Sequence, residues 1–361
     1  MSDPRIHCYT EDIKTANEKL KNAKPSDLGY IFVADLHNGA YLLQNEEGHL
    51  TFYEDDDTVA LKEARLIAQL DAIAEIAKNN DNIDFICVGG DIINGYETEE
   101  GAREKAAGQI TRQLDALAKS GKKLFVLMGN HDDGTFHRIY YPWGGEIHKE
   151  IAFSDKYWRD HFMTPYMPEN CVYDSQYPWS KYYYYDLKKN GKNIRIVCLD
   201  NFDVRMPFDD EGNVTEWIKE NVHYGYSAQQ LKWLVTEALP PEYDGESIIL
   251  SHMGITSEDN GWDTPRGDKL YEIIKAYQNK TAFADEEIGV EVDYSVSKGR
   301  ILSYQFGHIH RNKFYYGEDI KLWQISTDTA EHNPCFDIML VSSKRIQRFN
   351  VGNGEDFKTE I

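Results

Sequence analysis

Short apolar blocks, each closed by a polar cluster, recur along this chain. Tyr30-Ile31-Phe32-Val33-Ala34 runs into Asp35-Leu36-His37. Ile83-Asp84-Phe85-Ile86-Cys87-Val88 runs into Gly89-Gly90-Asp91, with Asn94 beyond, and Leu124-Phe125-Val126-Leu127-Met128 runs into Gly129-Asn130-His131-Asp132. Blocks of this length bounded by turn residues read as buried strands. Between them the spacing turns helical: Leu66, Leu70 and Ile73 mark a helix over Leu61 to Ile76, and Ile110, Leu114 and Leu117 mark one over Glu100 to Ser120, stopped by Gly121. Strand, helix, strand, helix, strand at these lengths predicts right-handed crossovers and a largely parallel first sheet.

The second half is patterned differently. Tyr182 to Leu187 and Ile194 to Leu199 flank an Asn190-Gly191 turn and predict a hairpin. Ser227 is placed to cap a helix carrying Leu231, Leu234 and Val235, and Leu270 to Tyr277 reads as another helix. Ser247 to Ser251 predicts a strand ending at His252, and Ile301 to Phe306 one ending at Gly307-His308-Ile309-His310. Ile320 to Ser326, Phe336 to Val341 and Ile346 to Val351 predict the closing strands. At the other end, Thr10 is placed to cap a short helix with Ile13, Ala16, Asn17 and Leu20 on one side.

Two stretches interrupt this order. Residues 40–53 alternate around Asn45-Glu46-Glu47-Gly48 and read as an inserted hairpin. From Thr135 to Tyr185 aromatic residues crowd a region of weak periodicity, which fits a lid-like insertion or an aromatic-packed structural one. With no internal repeat and no low-complexity linker, the expectation is one domain over 1–361 with these two insertions.

Composition narrows the classes. Against 39 basic residues stand 61 acidic ones, a formal charge of -22, which disfavours nucleic acid and anionic membranes as partners. Cys8, Cys87, Cys171, Cys198 and Cys335 are scattered without a C-x-x-C pair and read as reduced thiols. No apolar run has the length of a membrane span, and the first thirty residues hold no signal-type apolar stretch. The expectation is a cytoplasmic protein, with export left open, and oligomeric state is not encoded.

Taken singly, each polar cluster has an ordinary explanation as a turn, a helix cap or a hydrogen-bonded loop residue. Five of them at the ends of five apolar runs do not. Asp35, His37, Asp91, Asn130, His252, His308 and His310 comprise two carboxylates, one amide and four imidazoles. Such a mixed nitrogen and oxygen set suits Mn, Fe, Zn or Co better than Ca or Mg. A pair of such ions about 3.5 to 4 Å apart lowers the pKa of a shared water to roughly 7 and neutralises phosphoryl charge. Phosphoester hydrolysis needs both.

The blocks Asp35-x-His37, Gly90-Asp91, Gly129-Asn130-His131-Asp132, His252 and Gly307-His308-x-His310, in this order, resemble the calcineurin-like metallophosphoesterase superfamily over about residues 30 to 330. The resemblance implies an α/β fold of two mixed β-sheets packed as a sandwich and flanked by helices. It implies one divalent metal on Asp35, His37, Asp91 and His310 and a second on Asp91, Asn130, His252 and His308, with Asp91 bridging. A hydroxide shared by the two metals would attack phosphorus, His131 would assist the leaving group, and Asp132 would orient His131. The substrate so implied is a small-molecule phosphodiester or phosphomonoester; a non-catalytic metal-binding scaffold of the same fold is the alternative. Two departures place the chain nearer the bacterial phosphodiesterase-like members. Gly90-Asp91-Ile92-Ile93-Asn94-Gly95 lacks the arginine of Ser/Thr protein phosphatases, and Asn94 stands where purple acid phosphatases carry a tyrosine. Arg311 and Arg138 are the candidate phosphate-binding cations.

Overall fold

Burial on both faces explains why the first strand is apolar at nearly every position. In the computed structural model, which describes residues 6–39, 41–44, 50–53, 56–95, 101–132, 152–203, 225–260, 264–330, 335–352 and 354–361, β1 (Leu28–Val33) lies deep in a six-stranded sheet. After it come β2 (Tyr41–Gln44) and β3 (Leu50–Tyr53), which form the inserted hairpin, then β4 (Phe85–Val88) and β5 (Lys123–Val126). β1, β4 and β5 run parallel, in register Tyr30 to Phe85 and Phe85 to Lys123. Parallel neighbours need long crossovers. These are α2 (Asp56–Lys78) and α3 (Ala102–Ala118), which follow α1 (Thr10–Leu20). Leu66, Leu70 and Ile73 of α2 and Ile110, Leu114 and Leu117 of α3 are buried as their spacing predicted. In α1 the cap position is Tyr9 rather than Thr10, whose hydroxyl instead pairs with Cys8 Sγ at 3.3 Å.

The second sheet has seven strands. In chain order the remaining strands are β6 (Val172–Tyr173), β7 (Tyr183–Lys189), β8 (Lys192–Cys198), β9 (Glu246–Leu250), β10 (Ala282–Asp285), β11 (Val290–Asp293), β12 (Arg300–Phe306), β13 (Lys313–Gly317), β14 (Leu322–Ser326), β15 (Phe336–Ser342), β16 (Arg345–Val351) and β17 (Phe357–Glu360). The second sheet is ordered β13-β14-β12-β9-β8-β7-β6, while in the first sheet β15 lies beside β1 and antiparallel to it, β16 pairs antiparallel with β15, and β17 pairs antiparallel with β16. β8 shows the period-two logic of a sheet between two layers. Ile194, Ile196 and Cys198 face the first sheet, while Val197 and Leu199 face the helices Ala228–Trp233 and Gly267–Asn279.

Five strands were not foreseen. β6, β10, β11, β13 and β17 are short and half-exposed, so charged and apolar residues alternate weakly along them. The described part of the aromatic insertion is packed into the protein. From residue 152 onward Trp158, Phe162, Met163, Tyr182 and Tyr183 are buried in the core, and Ser154 caps the helical turn Asp155–Trp158 by accepting the Tyr157 amide at 3.1 Å. Aromatics here supply core volume. Residues 133–151, with Arg138, lie outside the described residues, as does the 45–49 turn. No helix among the described residues is long and apolar enough to cross a membrane.

Rings pack the two sheets together in the core. Phe85 stacks on Tyr30 at 4.9 Å and meets Phe125 edge-on at 4.9 Å, and Phe125 in turn reaches Tyr185 of the second sheet at 5.5 Å. Phe125→Ala removes the shared member. It should cost about 3 to 5 kcal/mol, seen as a lower urea midpoint at unchanged slope; a loss below about 1 kcal/mol would show that the sheets do not depend on this contact.

Candidate metal centre

Every expected ligand sits just past the end of a strand, and five of them hold a backbone conformation that L-residues rarely adopt. φ is 55° at Asp35, 48° at His37, 51° at Asp91, 67° at His308 and 47° at His310. Left-handed backbone at a residue with a Cβ costs about 1 to 3 kcal/mol and persists only where the surroundings dictate it. Here the surroundings are a zipper between loops. The Asp35, His37 and Asn38 amides donate to the carbonyls of Gly90, Asp91 and Ile92 at 3.0, 2.9 and 3.0 Å, extending the β1–β4 pairing into the turns.

The two histidine-bearing turns close the site from the second sheet. The His308 amide donates to both Asp35 carboxylate oxygens, at 3.1 and 3.0 Å, and the His131 amide donates to Asp91 Oδ1 at 2.9 Å. With Oδ1 so engaged, Asp91 Oδ2 points at the imidazoles: His252 Nε2 at 3.3 Å, His37 Nε2 at 3.7 Å and His131 Nε2 at 3.9 Å. Asn130 Oδ1 lies 3.2 Å from His252 Nε2 and 3.0 Å from His308 Nδ1. His37 and His310 bring their Nε2 atoms to 3.0 Å from each other, with Asp35 Oδ1 at 3.4 Å from the latter.

Two groupings result, each with ligand-type atoms within 4.8 Å of one another: Asp35, His37, Asp91 and His310, and Asp91, His252 and His308. Asn130 adds its amide oxygen to the second. All seven residues named from the sequence therefore converge, with Asp91 common to both groups. The donor chemistry fits cations. Two imidazole nitrogens 3.0 Å apart can share at most one proton, whereas a cation satisfies several lone pairs together.

Protons carry the balance among the protein groups. Burial opposes ionisation of Asp91, yet the facing His252, His131 and His37 hold its carboxyl well below the usual carboxylate range. Burial disfavours the His252 cation too, but the Asp91 carboxylate outweighs it and brings the imidazole up to about 9. His308, buried beside that cation, is pushed down to about 3. Hydrogen bonds fix which nitrogen faces inward: His252 Nδ1 donates to the Gly89 carbonyl at 2.8 Å, leaving Nε2 toward Asp91.

The hydrogen bonds of Asp132 run to backbone amides. Its Oδ1 accepts the Ile92 and Ile93 amides at 2.7 and 3.2 Å and its Oδ2 accepts the Gly129 amide at 2.7 Å. The carboxylate ties the β4 and β5 loops together. The His131 ring is oriented by the Asn94 carbonyl, which accepts from Nδ1 at 2.6 Å and leaves Nε2 facing the centre. Arg311 is exposed beside His310.

One contributor went unread. Asn201, fully buried past the end of β8, accepts on Oδ1 the amides of His252 and Met253 at 3.1 and 2.9 Å and the Ser251 hydroxyl. Its Nδ2 donates to Tyr226 Oη at 2.6 Å, and Tyr304 Oη, 3.3 Å from Tyr226 Oη, donates to the Met253 carbonyl at 2.8 Å. This network holds the His252 peptide. Its signal was present: Leu199-Asp200-Asn201 closes an apolar run as Asp35, Asp91 and Asn130 do. Asp200 anchors the same turn through buried Lys181, whose Nζ lies 3.2 Å from Asp200 Oδ2 and 2.6 Å from Asp155 Oδ1.

Comparison with known proteins agrees with this geometry. The sequence profile of the family described as calcineurin-like phosphoesterase matches residues 30–312. No curated protein matches the chain in sequence. Among solved structures, a dimetal phosphatase from Danio rerio is 14% identical, with a TM-score of 0.59 over 92% of this chain and 98% of that one. The likeness shows a shared fold of two mixed sheets and flanking helices. GAP50, described as the anchor in the inner membrane complex of Plasmodium, is 10% identical, with a TM-score of 0.48 over 93% of this chain and 89% of that one.

Two substitutions test how the centre is held. A Cβ at Gly129 would stand 2.1 Å from Asp91 Oδ1 and 2.2 Å from its amide, so Gly129→Ala should displace Asp91 and sharply reduce bound transition metal by elemental analysis, while far-UV circular dichroism stays native. Full metal occupancy in the variant would show that Asp91 is not needed there. Asn201→Ala should lower metal affinity by about 10- to 100-fold in chelator competition. Asn201→Asp, which keeps the acceptor, should restore most of it; unchanged affinity in the alanine variant would remove Asn201 from the support of His252.

Proposed function

The chain belongs to the calcineurin-like phosphoesterase family, and on that premise we propose that it hydrolyses a small-molecule phosphodiester or phosphomonoester with two divalent transition-metal ions, Mn, Fe or Zn, as cofactors. The observation that carries this reading is the sharing of Asp91 between two groupings of nitrogen and oxygen donors. Asp35, His37, Asp91 and His310 would hold one ion, and Asp91, Asn130, His252 and His308 the other. When bound, the ions would supply water acidified to near neutrality and charge neutralisation on the phosphoryl oxygens.

The protein's own groups then divide the remaining work. His131 donates its Nδ1 proton to the Asn94 carbonyl and so turns Nε2 to the centre; when that nitrogen has also taken up a proton, the imidazolium can give it to the departing alkoxide and return to the neutral ring. Asp132 acts at one remove, by holding the Gly129 and Ile92 amides and so the loop that carries His131. A charge of -22 favours a small substrate over a polyanion, which would be repelled before it reached the ions. The Asp-x-His first block supports a place near the bacterial phosphodiesterase-like members.

Elemental analysis of purified protein, run beside hydrolysis of bis-p-nitrophenyl and p-nitrophenyl phosphate with Mn added back, tests the proposal. Two transition-metal equivalents with turnover of at least one ester are expected; protein that stays metal-free and inert after reconstitution would overturn it. His131→Ala should retain its metal and lose about 10²- to 10⁴-fold in kcat. Retained turnover in that variant would take the proton-donor role from His131.

A further inference from the structure

A cavity of about 930 Å³ lies against the same Gly307–His310 turn but on another side of it. Ile309 contributes to its wall, while the neighbouring His308 and His310 turn their nitrogens toward Asn130 and Asp35. None of the proposed metal ligands lines it.

Its chemistry is lopsided. Glu258, Asp268 and Glu272 stand exposed around it, and Asp259 stands in the wall, held by the Thr256 amide and hydroxyl at 2.9 and 2.8 Å and by the Tyr315 hydroxyl. Against these four carboxylates, Lys313 is the single cation lining the cavity among the described residues. A rim of carboxylates alone would be an ordinary solvated surface.

Gln324 makes the difference. It lies on β14 opposite Tyr315 and next to Tyr304 in register, lines the cavity, and is only 4% exposed. Its side-chain oxygen has no hydrogen-bond partner. An unsatisfied buried amide oxygen costs about 1 to 3 kcal/mol, which an entering donor would recover. The walls beside it are aromatic, from Tyr271, Tyr315 and Phe306, and suit the methylene stem or charge of an organic cation. A bare divalent metal has no ready cage here, since both groupings of three or more ligand-type groups among the described residues lie at Asp91.

We propose that this cavity is a second binding site, separate from the phosphoester centre, for a flexible organic cation bearing two or more primary or secondary ammonium groups. One ammonium donates to the buried Gln324 oxygen and the others pair with the carboxylates at the rim. The acidic protein as a whole raises the local concentration of such cations.

Isothermal titration of the intact protein with spermidine, at physiological ionic strength to screen diffuse attraction, tests this. Saturable binding is expected, weakened about tenfold or more in Glu258→Gln/Asp268→Asn. Glu286→Gln/Glu291→Gln removes as many charges from the exposed β10–β11 hairpin and should leave binding unchanged. Gln324→Leu should weaken binding as well, judged only if its thermal melt stays cooperative. Equal weakening by both double variants, no effect of either, or no saturation would overturn the proposal. Saturable binding of Ca²⁺ alone, lost in the same cavity variant, would replace it with a metal site. Hydrolysis is not the readout, so a failure of the phosphoesterase reading and a failure of this one are told apart.

Discussion

A carboxylate taken out of water must be met by positive charge, and Asp91 is where this structure meets that demand. Its Oδ1 is spent on the His131 amide, so Oδ2 is left to face three imidazoles at 3.3 to 3.9 Å. Removing any one of those partners would leave buried charge poorly compensated. The protons that His252 holds against its burial and the cations proposed for the two donor groups answer the same electrostatic need.

Meeting it requires the backbone to be forced. Side chains from β1, β4, β5, β9 and β12 converge past their strand ends, and in the turns after β1, β4 and β12 the left-handed φ values at Asp35, His37, Asp91, His308 and His310 bend the chain back at once. Glycines give the room: a Cβ at Gly307 would stand 2.4 Å from Asp35 Oδ2, and one at Gly90 would stand 2.7 Å from His252 Nδ1. Hydrogen bonds from outside the ligand set keep the strain in place. Asp132 joins the β4 and β5 loops, and Asn201 grips the His252 peptide from β8. The candidate ligands are thus positioned by residues outside their own set.

The acidic composition bears on function at two scales. The charge of -22 sets a field that disfavours polyanions, while the proposed metal pair would reverse its sign locally. Around the cavity beside Ile309 the same composition is concentrated over a buried amide that lacks a partner. One turn, Gly307–His310, thereby borders both proposed sites, one for an anionic ester and one for an organic cation.

Much of this was legible in the chain before folding. Apolar runs of strand length, helical spacing between them, and polar residues at their ends specified the parallel half, the Asn190-Gly191 hairpin and the seven residues that converge as candidate ligands, because period and burial follow from residue type. The half-exposed strands β6, β10, β11, β13 and β17 were not legible, since edges bury too little to impose a period. Nor was the role of Asp132, which adjacency tied to His131 but which folding gave to the Ile92, Ile93 and Gly129 amides. Asn201 carried the right local signature and still needed the fold to show its purpose, because its partners lie 50 to 52 residues away in sequence. Residue type and spacing determine what chemistry a chain can bring to a strand end. Which groups meet there, and which merely hold the others, is decided by tertiary contacts between loops remote in sequence.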